Sequence, residues 1–512
     1  MPAPFYAHRF VLVVCTMASC HLVSGQFRAP SPASNLPRAQ TVSPSSQSGT
    51  VTPAQASVDS GQERNSLNPT VQIQGSYQGG VPDGQLTRQQ LQLTFEDAIR
   101  RGILHNLGAI TAGEASRQAR AQKLSALAQM LPDITGGVRE SVEQINLAAQ
   151  GLRISVPIPG FHFPPVVGPF NNFDARAYLT QSLSVTGVRN FQSSQEYAKS
   201  AEFSAKESRE LVALAVSGTC LQLLASTARI EASKAQIETA RAVHEQAVDR
   251  NRSGLNARID VNRSLVELQT QQQRLTTLVN DYEKRKLALA RMIGLPMAQP
   301  FALSNTITHR ESSSPDMAGV ILQALSNRSD VLAAGAQVKA AELTLKAATS
   351  EYYPSLAVTA DYGATGINPS QAHGTFSISG GVQFPIFRSG RIRADIEDAG
   401  AALAQRKAEY EDIRVQVEQD VRNALLDFTA AAEQVRVAAS NRALASETLQ
   451  QARDRFRAGV ADTVEVVQAQ ESVATAEQDD ISALYAFNLV QITLGWVVGQ
   501  TEQAVARLLE GK

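Results

Sequence analysis

The sequence predicts an α+β chain built from two copies of one unit: helix, β-hairpin, long helix, glycine turn, return helix. Three observations predict it. The phrase Gln246-Ala247-Val248-Asp249-Arg250-Asn251-Arg252-Ser253-Gly254 returns as Gln451-Ala452-Arg453-Asp454-Arg455-Phe456-Arg457-Ala458-Gly459, with six of nine positions identical. Two stretches of some 65 residues, Val188 to Arg252 and Ile392 to Arg457, contain no proline. Two pairs of stretches alternate apolar and polar residues, the period of a strand. From Gly254 to Gly459 the offset is 205 residues, and it also pairs Asp260 with Glu465 and Gly294 with Gly499. A duplication on this scale fixes the architecture.

Along the chain, His8 and Arg9 precede the short apolar run Phe10 to Met17, and Val23-Ser24-Gly25 offers small residues before Gln26. This pattern reads as an export signal over residues 1–25. Met17-Ala18-Ser19-Cys20 is an imperfect lipoprotein box, so Cys20 is a candidate for lipidation, with cleavage without lipid the favoured reading. Residues 26–91 are rich in Ser, Pro, Gln, Thr and Gly and read as a disordered leader. Repeat 1 is assigned to 92–299, repeat 2 to 300–500, and a tail to 501–512. After the signal no uncharged apolar run of 18 residues is expected, which argues against a membrane-crossing helix and leaves a β-barrel open.

Repeat 1 opens with a helix over 94–130, capped by Thr94 with Asp97 three residues on. Leu131-Pro132 ends it. A strand follows with Ile134, Gly136, Val138 and Val142 on one parity, and a second with Leu179, Leu183 and Val185. Repeat 2 does the same after a helix over about 316–351. Leu356, Val358, Ala360 and Tyr362 share one face, as do Phe376, Ile378, Val382 and Phe384, with Ser377, Ser379 and Gln383 opposite. Strands of about ten residues suit a tilted membrane crossing. A soluble two-faced sheet has the same alternation. Pro132 and Pro354 are 222 residues apart, so repeat 1 is the longer unit. Its surplus maps to a proline-rich hairpin loop, Gly151–Phe170.

The proline-free stretches read as rods of roughly 100 Å at ~1.5 Å per residue. In the second, Ile396, Leu403, Tyr410, Val417 and Ala424 recur every seven residues, a coiled-coil return. Each rod stops at a glycine able to take the left-handed conformation, behind arginines that suit a helix C-terminus. Return helices of roughly 50 Å start near Asp260 and Glu465, where acids face the positive end of the helix dipole.

A net charge of −1 gives no electrostatic case for nucleic acid. Cys220 is the only cysteine beyond the leader, which excludes a disulfide framework. His244-Glu245 begins like a zinc helix, but Val248 stands where the second histidine belongs. With no phosphate loop or nucleophile elbow, the chain reads as a non-enzyme needing no cofactor.

In its helix–hairpin–rod–glycine–helix order, in Phe384-Pro385-Ile386-Phe387-Arg388-Ser389-Gly390 at the strand-to-helix junction, and in its arginine–glycine turns followed by an acid and valine, the chain resembles the TolC-like outer-membrane efflux proteins over about residues 92 to 500. The resemblance implies a homotrimer in the outer membrane of a Gram-negative-type bacterium. Each protomer gives four strands to one twelve-stranded barrel and its helices to a periplasmic tunnel. It also implies partners: a periplasmic adaptor (membrane fusion) protein, an inner-membrane pump, and outer-membrane lipid. Arg252, Gly254 and Leu255, with Arg457, Gly459 and Val460, become adaptor-docking tips; a plain helix stop is the simpler reading of both turns. Asp260 and Glu465 match gate acids of the family, and Gln468 stands uncharged where a further gate acid belongs. A basic link partner expected two residues past the second glycine is Ala461 here. The rival reading is a soluble periplasmic coiled-coil adaptor or scaffold. Against it, this chain has two helical hairpins and no separate lipoyl-like domain.

Overall fold

The computed structural model describes residues 50–53, 70–149, 151, 164–254, 257–304 and 316–509. The signal segment with Cys20, and Leu255, lie outside them. Contacts divide the chain into a sheet unit, Leu131–Leu183 with Ser355–Gln383, and a helical unit formed by the described parts of the remainder.

In the sheet unit, β4 (Asp133–Asn146), β5 (Val166–Leu183), β7 (Ser355–Gly366) and β8 (His373–Gln383) pair antiparallel in the order β4-β5-β7-β8. The hairpins expected in each repeat are present and are joined through β5 and β7. Register puts residues of one parity on one face. Ile134, Leu179, Ala360 and Ile378 form one row across all four strands, and Ala177, Tyr362 and Phe376 continue the next. That face is open: Val138 is 77% exposed, Phe376 74% and Ile378 73%. Opposite it lie Thr180, Thr359 and Ser379 in one row, with a hydroxyl–hydroxyl hydrogen bond of 2.7 Å between Thr359 and Ser379. On the same side Arg176 pairs with Asp174 at 2.8 Å and with Asp361 at 3.2 Å. The surplus of repeat 1 is not all loop. Val166–Phe170 belongs to β5, which has 18 residues against 11 in β8. β8 ends one residue short of Phe384, and Val185 opens the following helix rather than closing a strand.

The rods form as the absence of proline requires. α3 spans Val185–Arg252 and α7 spans Arg391–Arg457. Their return helices, α4 (Arg258–Met292) and α8 (Thr463–Val497), have 35 residues each. α4 packs along α3, α8 packs along both α7 and α3, and the seven-residue return on α7 buries Val417, Val421, Ala424 and Phe428. The Phe428 and Phe487 rings meet at 5.7 Å.

Each pre-hairpin helix is two helices, not one. Repeat 1 has α1 (Phe95–His105) and α2 (Leu107–Ala128); repeat 2 has α5 (Met317–Asn327) and α6 (Ser329–Thr349). Thr94 and Asp97 close the expected capping box on α1. The breaks fall at Asn106 and Arg328, which are 222 residues apart. Asn106 is fully buried. Its oxygen accepts from the Gly108 amide, and its amide nitrogen donates to the Tyr77 carbonyl at 2.8 Å and the Met292 carbonyl at 3.3 Å. Arg328 makes its break with charge: 2.6 Å to Asp330, 2.9 Å to Asp420, and a face against Trp496 at 5.0 Å. Neither site needs glycine or proline, because a side chain satisfies the freed backbone or holds the turn from outside.

Two further expectations are corrected. The leader is ordered where it is described. β1 (Val51–Pro53) pairs with β2 (Val71–Ile73), and Tyr77 is buried. A Cβ on Gly218 in α3 would stand 2.4 Å from Val71, and one on Gly108 would stand 2.4 Å from Tyr77, so glycines make the seats. Residues Leu91–Leu93 (β3) pair in parallel with Phe301–Leu303 (β6). The C-terminal tail holds a helix, α9 (Thr501–Leu509), with Val505 buried. Finally, Leu211 to Ala228 is an uncharged run of the kind not expected. α3 contains an 18-residue window of mean hydropathy 1.7, 67% buried. Val212 to Val216, Cys220 and Leu221 pack there with α1, α4 and α8 in the main core, so its apolarity is that of a core helix.

Candidate functional site

The two glycine turns close α3 and α7 as the arginine–glycine phrase requires. Gly254 has φ +74° and Gly459 has φ +77°, the left-handed region where a Cβ is penalised. Ser253 donates back to the Asp249 carbonyl at 3.0 Å. After Gly459, Asp462 caps α8 by accepting from the Glu465 amide at 3.0 Å. Val460 is 70% exposed at the turn. Arg252 and Arg457 sit on the outer surface of the last helical turns, each beside an acid three residues back, Asp249 at 3.5 Å and Asp454 at 3.3 Å.

The gate candidates part company. Glu465 forms an ion pair with Arg455 at 3.0 Å, within repeat 2. The repeat images of these residues are Asp260 and Arg250, and they do not pair. Asp260 reaches Arg263 at 3.9 Å. Arg250 instead crosses to the other repeat. Its guanidinium lies 4.5 Å over the ring of Phe456 and donates to the Arg457 carbonyl at 3.0 Å. Phe456 is almost fully buried in a small core with Val243, Leu449, Ala452, Val466 and Ala469. A cation held over a desolvated ring gains about 1–2 kcal/mol. Gln468 is exposed, and its carbonyl accepts from Ser472.

The sequence around Arg250 differs from its repeat image at Asn251, which stands where repeat 2 carries Phe456. That difference, one of three in the nine-residue phrase, is the available signal. One difference of residue type makes one repeat the donor of a cross-link and the other its receiver. Ala461, in the position of the expected basic partner, is half-buried against this same core.

Around the Arg328 break one half-buried acid stands out. Glu207 of α3 has its carboxyl pushed up to about 7, first by burial and then by Asp330, with Arg328 opposing. Among the described residues no group of three or more metal-binding side chains occurs.

The family model for outer membrane efflux proteins matches residues 320–500. The pyoverdine export outer membrane protein OpmQ of Pseudomonas putida is 24% identical over 387 residues, 74% of this chain and 79% of that protein. The cation efflux system protein CusC of Escherichia coli K12 is 27% identical over 188 residues, 36% of this chain and 41% of that protein. In fold, the chain is similar to the CmeC outer membrane channel of Campylobacter jejuni, with a TM-score of 0.69 at 14% identity over 85% of this chain and 95% of that one. The resemblance to TolC-like outer-membrane efflux proteins therefore holds, in sequence over the second repeat and in fold over most of the chain.

Proposed function

From its likeness to the outer membrane efflux proteins, we propose that this chain is the outer-membrane channel of a tripartite efflux or type I secretion assembly, with its helices extending into the periplasm. The sheet unit carries the reading. A four-stranded sheet with one open apolar face and unpaired outer edges on β4 and β8 has no stable place in water or, alone, in lipid. Exposed edges in hydrocarbon leave peptide groups unsatisfied at several kcal/mol each. Pooling four strands from each of three copies removes every edge. An 11-residue strand is about 36 Å long at ~3.3 Å per residue, or roughly 28 Å high at a tilt of ~40°, enough for the apolar band of a barrel.

In that barrel Val138, Phe376 and Ile378 face lipid, and Thr359, Ser379 and the Arg176–Asp174–Asp361 cluster line water. The channel is passive, and an inner-membrane pump supplies the energy. The turns at Gly254 and Gly459 receive the adaptor. Asp260, Glu465 and the uncharged Gln468 stand at the periplasmic constriction, where the Arg250–Phe456 contact takes the linking role that Ala461 cannot fill. Cargo is left open by the relatives, whose names cover pyoverdine and cations. Planar-bilayer recording tests the proposal: purified protein is expected to give discrete conductance steps, and a chain that stays soluble and non-conducting ends it.

A further inference from the structure

Between two dry stretches of the helical unit lies a polar recess of about 70 Å³. Gln236 of α3, Glu267 and Gln271 of α4, and Gln470 and Glu477 of α8 line it, and Leu449 of α7 and Val473 of α8 close its sides. Along α8 it falls between the core that holds Val466 and Ala469 and the core that holds Ala483 and Phe487. The duplication does not account for these groups. A shift of 205 residues turns Glu267 into Ser472, Gln271 into Ala476 and Gln470 into Leu265. The polar set is particular to this junction of the two repeats.

Each carboxylate in the recess is held by one glutamine. Gln271 Nε2 donates to Glu267 Oε1 at 2.7 Å, and Gln236 Nε2 donates to Glu477 Oε2 at 2.7 Å. These bonds commit amide nitrogens to the acids and leave the recess rich in oxygen. Gln271 Oε1 is buried without a hydrogen-bond partner. Gln470 is 7% exposed, and neither atom of its amide has a partner. Glu267 is 9% exposed, yet no lysine, arginine or histidine lines the recess. Water answers the amide groups, but it does not neutralise two carboxylates. A buried charge without a counter-charge is costly, and buried amides without partners point to an ion or ordered water.

We propose that this recess binds a hard divalent cation of the calcium type, held by the carboxylates of Glu267 and Glu477 and the amide oxygens of Gln271 and Gln470. All four donors are oxygens. Calcium takes about six to eight oxygens in flexible geometry, amide carbonyls and waters among them, whereas magnesium demands a near-ideal octahedron. Two carboxylates balance its charge. A volume of about 70 Å³ admits the ion with a few waters. Only two donors are acids, so the affinity belongs to the weak, extracellular range of calcium sites. The ion joins α4 of repeat 1 to α8 of repeat 2. Its site is complete within one copy of the chain and does not depend on the trimeric reading.

The test uses full-length protein purified in non-ionic detergent and stripped with a chelator. Equilibrium dialysis against radioactive calcium reads binding, and melting followed by circular dichroism reads stability. Wild type is expected to bind one ion per chain, half-saturated at about 0.1–1 mM, and to melt several degrees higher in saturating calcium than in chelator. Glu267→Gln with Glu477→Gln keeps the shape of both side chains and is expected to remove the binding and the rise. Glu471→Gln, at an exposed acid of the same α8, is expected to keep both. Gln470→Leu installs the residue of the repeat image, leaves both acids in place, and is expected to weaken binding several-fold. Wild type without a saturable site, or unchanged affinity in the double variant, overturns the proposal. An equal rise in sodium at the same concentration overturns the divalent assignment, and unchanged affinity in Gln470→Leu overturns the part given to that amide.

Discussion

The two repeats share one plan, yet they treat the same residues differently. Arg455 closes on Glu465 inside its own repeat; Arg250 leaves Asp260 and grips Phe456 of the other. His244 and Ser264 hydrogen-bond at 3.0 Å between α3 and α4, and their images Leu449 and Ala469 lie in an apolar core. Asn106 breaks one helix by hydrogen bonding alone, and Arg328 breaks the other through a charged network. Duplication preserved backbone geometry and left side-chain chemistry free to diverge. Of these contacts the Arg250–Phe456 pair crosses from one repeat to the other, whereas the His244–Ser264 bond and the Arg328 network each lie within one.

The largest expected effect tests where the repeats agree. Phe376→Arg on β8 and Val138→Arg on β4 each put a charge on the open apolar face, at about 2–4 kcal/mol per copy near a bilayer midplane. Both are expected to abolish heat-stable oligomers on unboiled gels, with Ser377→Arg, on the opposite face, retaining them. Retention by the first two would mean that the face does not meet lipid.

Next comes a pair the repeats treat unequally. Glu207 is half-buried, and its image Asp412 is exposed. The folded chain holds a proton on Glu207 that the unfolded chain has lost between its ordinary value of 4.5 and about 7. Its contribution is therefore harmless below that window, turns destabilising as pH rises through it, and levels off above. Glu207→Gln is expected to raise thermal stability at pH 8 by up to about 3 kcal/mol and to change little at pH 4.5, with Asp412→Asn flat at both. Melting followed by circular dichroism reads this directly.

The tip contrast predicts a smaller gap. Arg250→Ala removes a cation–ring contact and a hydrogen bond, about 1–2 kcal/mol together; Arg455→Ala removes a half-exposed ion pair, at most about 1 kcal/mol. Arg250→Ala is expected to raise resting conductance in bilayers more than Arg455→Ala does. The reverse order would place the link in the wrong repeat. Smallest of all is a reversal of the pair between Arg120 of α2 and Glu202 of α3, 3.1 Å apart, to Glu and Arg, the polarity of Glu342 and Lys407 in repeat 2. It is expected to shift stability by well under about 1 kcal/mol, as exposed ion pairs contribute little.

Local signals were legible in the chain. Gly254 and Gly459 announced the turns because only a left-handed residue closes a helix without strain. Absent proline announced the rods, and alternation announced the strands. Contacts between distant segments were not legible. Beside Arg250 the one hint is Asn251, standing where repeat 2 carries Phe456, and it does not by itself join the two across some two hundred residues. Asn106 and Arg328 carry no breaker signature, since each works through partners brought by the fold. The docking of the supposed leader left one trace: Gly218, a lone glycine deep in an apolar helix, marks where the Val71 side chain comes close.

That glycine has a consequence for biogenesis. Val71 fits only into the notch that Gly218 leaves, and Leu489 forms part of the same notch. The strand that carries Val71 thus has no such seat until the chain has been made as far as Gly218, well over a hundred residues on.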